Sequence, residues 1–141
     1  METKEKTTVQ WVQDLIAIHI TRKEAAHRLA VIAGKDSAPG AAMLKAGHQS
    51  QQFLPALLDE LSSYGDAVAA EADRDNDYIL LWNNSLASLD QWVAADAENL
   101  FKQMEDQLQK IYQHLLEMSA DLPPSFNELL NLQWQQLKAG R

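Results

Sequence analysis

The chain has 141 residues, 46% of them hydrophobic and 23% charged, with a net charge of −8 and no cysteine. That length and apolar content suit one domain spanning 1–141 with a core of its own, and the lack of cysteine removes disulfides, thiol catalysis and Cys-based zinc sites together. No run of about 18 apolar residues and no signal-peptide core occurs, so the expectation is a cytoplasmic protein that does not engage a membrane.

Every glycine and proline falls within residues 34–65, at 123–124 or at Gly140. The long stretches between them carry apolar residues at helical spacing, which predicts an all-α chain of four principal helices and one short one. Residues 1–7 are polar and read as a flexible N-terminus. A first helix over about 8–33 opens on Thr7 and Gln10, spaced for a capping box, and closes at Gly34 in a left-handed conformation. Its apolar face gathers Trp11, Leu15, Ile18, Ala25, Leu29 and Ile32, widened by Val12, Ile16 and Ala26. Glu24 and Arg28 are spaced for a surface i, i+4 pair.

Pro39 suits the first turn of a second helix over about 39–64, with Met43, Leu44, Gly47, Leu54, Leu57, Leu58 and Leu61 inward. Pro55 removes one backbone bond without interrupting the apolar phase, so a bend rather than a stop is expected. Residues 66–76 are mostly Ala, Asp and Glu and read as a connection. A short third helix over about 77–90 carries Tyr78, Trp82, Leu86 and Leu89, in an apolar series that runs on to Val93. Continued through the next apolar run to 118, it would be about 63 Å long, against about 39 Å for the first helix. A break is therefore placed between Ser88 and Asp96, and Trp92 within it is the aromatic expected to present an exposed interface. The fourth helix, about 96–119, alternates spacings of three and four through Ala97, Leu100 or Phe101, Met104, Leu108, Ile111, Leu115 and Met118. Pro123 and Pro124 announce a last helix over about 124–138, with Ser125 and Glu128 as a second capping box and Phe126, Leu129, Leu130, Gln133 and Leu137 on its buried side.

Charge is unevenly placed. Residues 59–98 hold ten Asp and Glu against one base, Arg74. An acidic middle repels phosphate backbones, and no basic stripe elsewhere offsets it, which argues against nucleic acid as a partner. Asp73-Arg74-Asp75-Asn76-Asp77 opens like a calcium loop, but Tyr78 stands where the glycine is required and Asn84 where the bidentate Glu belongs. The cluster is expected to cap the helix that follows it. No phosphate loop, nucleophile elbow or His-Glu-x-x-His element is present.

Two long helices, a connection with a short helix, then two more helices is the connectivity of a ferritin-like bundle with one long crossover. Val12-Gln13-Asp14-Leu15-Ile16, Trp82, Met104-Glu105-Asp106, Tyr112 and Asp121-Leu122-Pro123-Pro124 together resemble a small bacterial ferritin-like family of unknown function. The resemblance implies a ferritin-like four-helix bundle with a short extra helix in the crossover, and asks whether a di-metal site survives. Such a site takes a Glu from each of two helices and Glu-x-x-His from each of the other two. Glu24 and His27 supply the pair once; His48 follows Lys45 instead of a carboxylate; Glu105 follows Lys102; and Glu128 is followed by Asn131. The candidate metal ligands are thus Glu24, His27, His48 and Glu105, in a set too poor in carboxylates for two divalent ions. Glu105 and Asp106 are expected to face solvent, and His19, His27, His48 and His114 to be half-exposed or hydrogen-bonded.

The leading expectation is a non-catalytic helical bundle without cofactor, acting in self-association as a homodimer or in binding a protein partner. The alternative is a divergent iron- or manganese-binding oxidoreductase using those four residues. A small-molecule cleft beside Pro55, between the first two helices, is the third reading.

Overall fold

The computed structural model describes residues 6–65 and 76–139. Every regular element in them is helical. The principal helices are α1 (Thr8–Ala33), α2 (Ala38–Ser62), α3 (Asp77–Ser85), α4 (Ala94–Glu117) and α5 (Pro124–Ala139), with short 3-10 turns at Leu86–Gln91 and Ser119–Asp121. Most of the polar leader, most of the acidic connection and the aspartates at 73 and 75 lie outside the described residues. No described helix is long and apolar enough to cross a membrane.

The helix ends are fixed by local chemistry. Thr7 and Gln10 form a reciprocal capping box, at 3.2 Å and 2.8 Å, that satisfies two of the free N–H groups opening α1. Gly34 ends α1 at φ 95°, which disfavours any side chain, and Ser37 then caps α2 by accepting from the Gly40 N–H at 3.0 Å. α2 continues through Pro55. Asn76 caps α3 by accepting from the Ile79 N–H at 2.9 Å. After α3 the chain tightens into the 3-10 turn, so the short helix ends at Ser85, ahead of the expected 90. The helical path breaks at Trp92 and Val93, both extended. α4 then starts with the Asp96 carboxylate accepting from the Val93 N–H at 3.0 Å.

α1 packs along α2 and also against α3 and α4; α4 packs against α3 and α5, and α5 closes onto α2. The interior that they share is filled by side chains including Leu15, Leu29, Met43, Trp82, Leu108 and Leu130, all buried. Along α2 the buried line is Met43, Ala46, Ser50, Phe53, Leu57 and Glu60, a regular alternation of three and four. It is rotated from the expected face, so Leu58 points outward, 49% exposed. Leu86 lies in the 3-10 turn and is also exposed; Val93 ends the extended break in the open, whereas Trp92 beside it is half-buried against the core. The aromatic expected at an interface is thus packed, and its neighbour is not.

Two further expectations are corrected. The Ser125 hydroxyl does not close a capping box with Glu128 but donates to the Glu60 carboxylate at 2.9 Å; the same Oε2 accepts from Tyr64 at 2.6 Å. Arg28 does not pair with Glu24; its guanidinium lies over the Trp82 ring, 5.7 Å from the centroid, where the π face attracts it.

The turn between α1 and α2 brings two stretches of backbone into close approach at Gly40. A Cβ at Gly40 would collide with the carbonyl of Gly34, and neither backbone atom can swing away. Gly65 also has positive φ, at 75°, but open space around it. Gly40→Ala is expected to lower stability by about 1–3 kcal/mol through overpacking, and Gly65→Ala by only about 1–2 kcal/mol of backbone strain. Urea unfolding of both variants checks the order, and an equal or smaller loss at Gly40 would overturn it.

Candidate functional site

The apolar seams of four helices are each interrupted, in phase, by polar side chains. On α1 the buried sequence Val12, Leu15, Ile18 continues to His19 and Arg22 before returning to Ala25, Ala26 and Leu29. α2 contributes Gln49 and Ser50, α4 contributes Glu105 and Tyr112, and α5 contributes Gln133. His19 and Arg22 are three residues apart and Glu105 and Tyr112 seven apart, spacings that keep each pair on one face of its helix.

These groups form one continuous network. Arg22 donates through Nε and Nη2 to the two oxygens of Glu105 at 2.9 Å and 2.7 Å, a bidentate pair. Its Nη1 donates to Gln49 Oε1 at 2.9 Å and to Ser50 Oγ at 3.1 Å. Ser50 Oγ lies 2.8 Å from His19 Nδ1, and His19 Nε2 lies 2.8 Å from the Tyr112 hydroxyl, which donates to Gln133 Oε1 at 2.7 Å. The ends fix the protons. Because Tyr112 gives its hydrogen to Gln133, it accepts from His19 Nε2–H; because Ser50 accepts from Arg22, it donates to His19 Nδ1. Every donor then points from Arg22 toward Gln133, and His19 is neutral with its proton on Nε2.

The electrostatics agree. Burial holds His19 well below its ordinary pKa, and the nearby Arg22 charge pushes the same way. Burial opposes the Arg22 charge, yet the bonds and opposite charge of Glu105 outweigh it and raise the Arg22 pKa. Burial also pushes the phenols of Tyr78 and Tyr112 up, so both stay protonated, and Tyr112 donates. Phe53 meets the His19 ring edge-on at 5.2 Å, which closes the remaining side of the imidazole to water.

Ser50 and His19 have the spacing of a nucleophile and its base, but both are fully buried. A substrate could not reach the Ser50 oxygen, which in addition already accepts from Arg22. The network binds helices together; it offers no reacting atom.

The four proposed ligands do not share one place. Glu24, His27 and His48 are exposed and line a groove on the outer side of α1 and α2, with Ile20, Leu44 and Gly47. Glu105 is drawn instead toward the interior by Arg22, against the expectation of a solvent-facing carboxylate, although Asp106 beside it is exposed. His114 packs against Trp11 at 5.7 Å on the exposed side of α4. Among the described residues no group of three or more His, Asp or Glu side chains could hold a metal ion. A pair of divalent ions does not fit the network either, because Glu105 is neutralised by a guanidinium and both nitrogens of His19 are bonded.

A cleft of about 300 Å³ lies beside the network, lined by Arg22, Gln49 and Glu105 at its base, with Lys45 and Lys102 among the side chains around it. It separates α2 from α4, not α1 from α2 beside Pro55.

His19, Ser50, Tyr112 and Gln133 were within reach of the sequence as polar residues standing in phase with an apolar seam. Arg22 carries the same signal, since 15, 18, 22, 25 and 29 recur at three and four.

Two outcomes follow from the network. Unfolding lets His19 take up a proton near its ordinary pKa of about 6.5, which the folded state refuses. Between that pH and the depressed folded value the unfolded chain binds more protons, so stability falls as pH falls, by up to about 1.4 kcal/mol per unit. From pH 7 to pH 5 the native chain should lose about 2 kcal/mol more than His19→Gln, measured by urea unfolding; parallel profiles would refute it. Arg22→Met should cost about 2–4 kcal/mol by stranding Glu105, whereas Arg22→Met with Glu105→Met should recover about half of it. Additive losses in that double variant would remove the coupling.

Comparison with known proteins finds no matching family model, no similar curated protein and no similar solved structure.

Proposed function

We propose that this chain is a non-catalytic four-helix bundle of ferritin-like connectivity, with α3 in the crossover, whose work is association with a second copy of itself. The observation that carries the reading is the position of the Arg22 guanidinium. It lies 96% buried and supplies, permanently and from the chain itself, the positive charge that Glu105 would otherwise offer to a metal ion. With both oxygens of Glu105 and both nitrogens of His19 taken, the centre has no ligand left to give.

The outer face of α1 and α2 supports the second half of the reading. Ile20 and Val31 are 53% and 58% exposed and eleven residues apart, so they stand on one stripe of α1. Leu58 is exposed on α2, where its fourteen-residue spacing from half-buried Leu44 puts both along the same side. Isolated apolar residues need no explanation, but a stripe across two packed helices does. Lys23 and Arg28 accompany Glu24 on this face, so a two-fold related copy can set opposite charges against each other while covering the apolar residues.

Sedimentation velocity at micromolar concentration should show a dimer for the native chain and a monomer for Ile20→Glu with Val31→Glu. Metal analysis of protein grown with added iron or manganese should find less than about one-tenth of an equivalent, far short of the two ions a full ligand set holds. A strictly monomeric native chain ends the association reading; stoichiometric metal ends the non-catalytic one.

A further inference from the structure

The cleft between α2 and α4 opens beside the last described turn of α5. α5 ends at Ala139, and the Gln136 carbonyl accepts from Gln49 Nε2 at 3.1 Å, which fixes the end of α5 at the level of Gln49. From Gln49 back to Ala38, and from Glu105 back to Ala94, α2 and α4 each run on for about 16 Å beyond that level. In the gap, Ala42, Ala46, Phe101 and Leu137 make an apolar wall. Small side chains on α2 provide the depth, and the Phe101 ring provides a flat side.

The charges around this wall are not self-compensating. Lys45 and Lys102, from facing helices, are both exposed and neither has an ion pair or hydrogen bond. Glu105 below them is held at both oxygens by Arg22. Four of the five N–H groups of Arg22 are engaged by Glu105, Gln49 and Ser50, and the remaining one is on Nη2, in a side chain that lines the cleft. Asp106 is the other carboxylate of the lining. With Glu105 neutralised, two ammonium groups therefore face one carboxylate, in a chain whose net charge is −8.

We infer that this cleft binds a small amphipathic carboxylate, its alkyl or aryl body against Phe101, Ala46 and Leu137 and its anionic head between Lys45 and Lys102. A volume of about 300 Å³ is at the lower end of small-molecule pockets, large enough for a medium-length acyl chain and too small for a folded partner. The ammonium groups select for charge and the apolar wall for a body attached to it, so inorganic anions bind weakly and neutral alcohols of equal length lose the head-group contribution. The site is on a different side of the molecule from the α1/α2 groove and does not depend on association.

The test uses octanoate and octan-1-ol as probes, at fixed ionic strength and below the aggregation limit of each, followed by amide chemical shifts of the full chain. Octanoate should shift the amides of Lys45, Phe101, Lys102 and Leu137 saturably, with an affinity about tenfold above that of octan-1-ol. Lys45→Met with Lys102→Met changes two exposed side chains; it should lower octanoate to the level of the alcohol and leave the alcohol unchanged. Ala42→Phe, which fills the cleft from an exposed position of α2, should abolish both. Equal affinities of acid and alcohol for the native chain, an undiminished octanoate affinity in the double lysine variant, or shifts that map to other residues would each overturn the inference.

Discussion

A guanidinium cannot shed its charge, and the fold takes Arg22 almost entirely out of water. The polar network that joins α1, α2, α4 and α5 follows from that one condition. Glu105 must stand opposite to balance it, and Gln49 and Ser50 must turn their oxygens toward the N–H groups that Glu105 leaves over. Ser50, having accepted one hydrogen, passes its own to His19, which is thereby held neutral and passes the next to Tyr112 and Gln133. Apolar seams alone could slip past one another by a turn at modest cost. Here a slip of α1 against α4 would part Arg22 from Glu105 and leave a charge unpaired in a dry interior, at several kcal/mol. The network thus adds less to net stability than to uniqueness: it fixes the register of α1, α2, α4 and α5 at a single depth.

Within the network itself the bonds are spent among its own members, with Glu105 held at both oxygens and His19 at both nitrogens. Two surfaces carry the proposals: the apolar stripe over α1 and α2, and the cleft between α2 and α4. One suits a large, shallow contact and the other a small enclosed one, so the two proposals concern different partners and fail independently.

Helix positions were legible because breakers and caps act locally. The Thr7 and Gln10 box, the Gly34 terminus and the Ser37 to Pro39 opening each concern residues within one turn, and a window of the sequence contains all the atoms involved. The break near Trp92 was legible from length alone, since one rod through 77–118 would overrun its neighbours. Rotation of a helix about its axis was harder. On α2 the leucines at 44, 54, 58 and 61 pulled the expected face away from Phe53 and Ser50, because hydrophobicity counts a serine as outward even when a buried arginine needs its oxygen. The interior site was hidden for the same reason. Its members are recognisable as ligands only of one another, and their partners are 21 to 93 residues distant in sequence. The family resemblance directed attention to Glu24, His27 and His48, which the fold turns to the outside; of that set only Glu105 is drawn inward, and Arg22 holds it.

Glu60 gives the chain a second fastening. Its carboxylate takes hydrogens from Tyr64 at the end of α2 and from Ser125 in the first turn of α5, so two points 65 residues apart in sequence are held together by side chains. The covalent path from α2 to α3 therefore need not set the spacing between the helix pairs. One oxygen atom thereby joins the end of α2 to the first turn of α5, so these two helix ends move as one although the chain between them passes through α3 and α4.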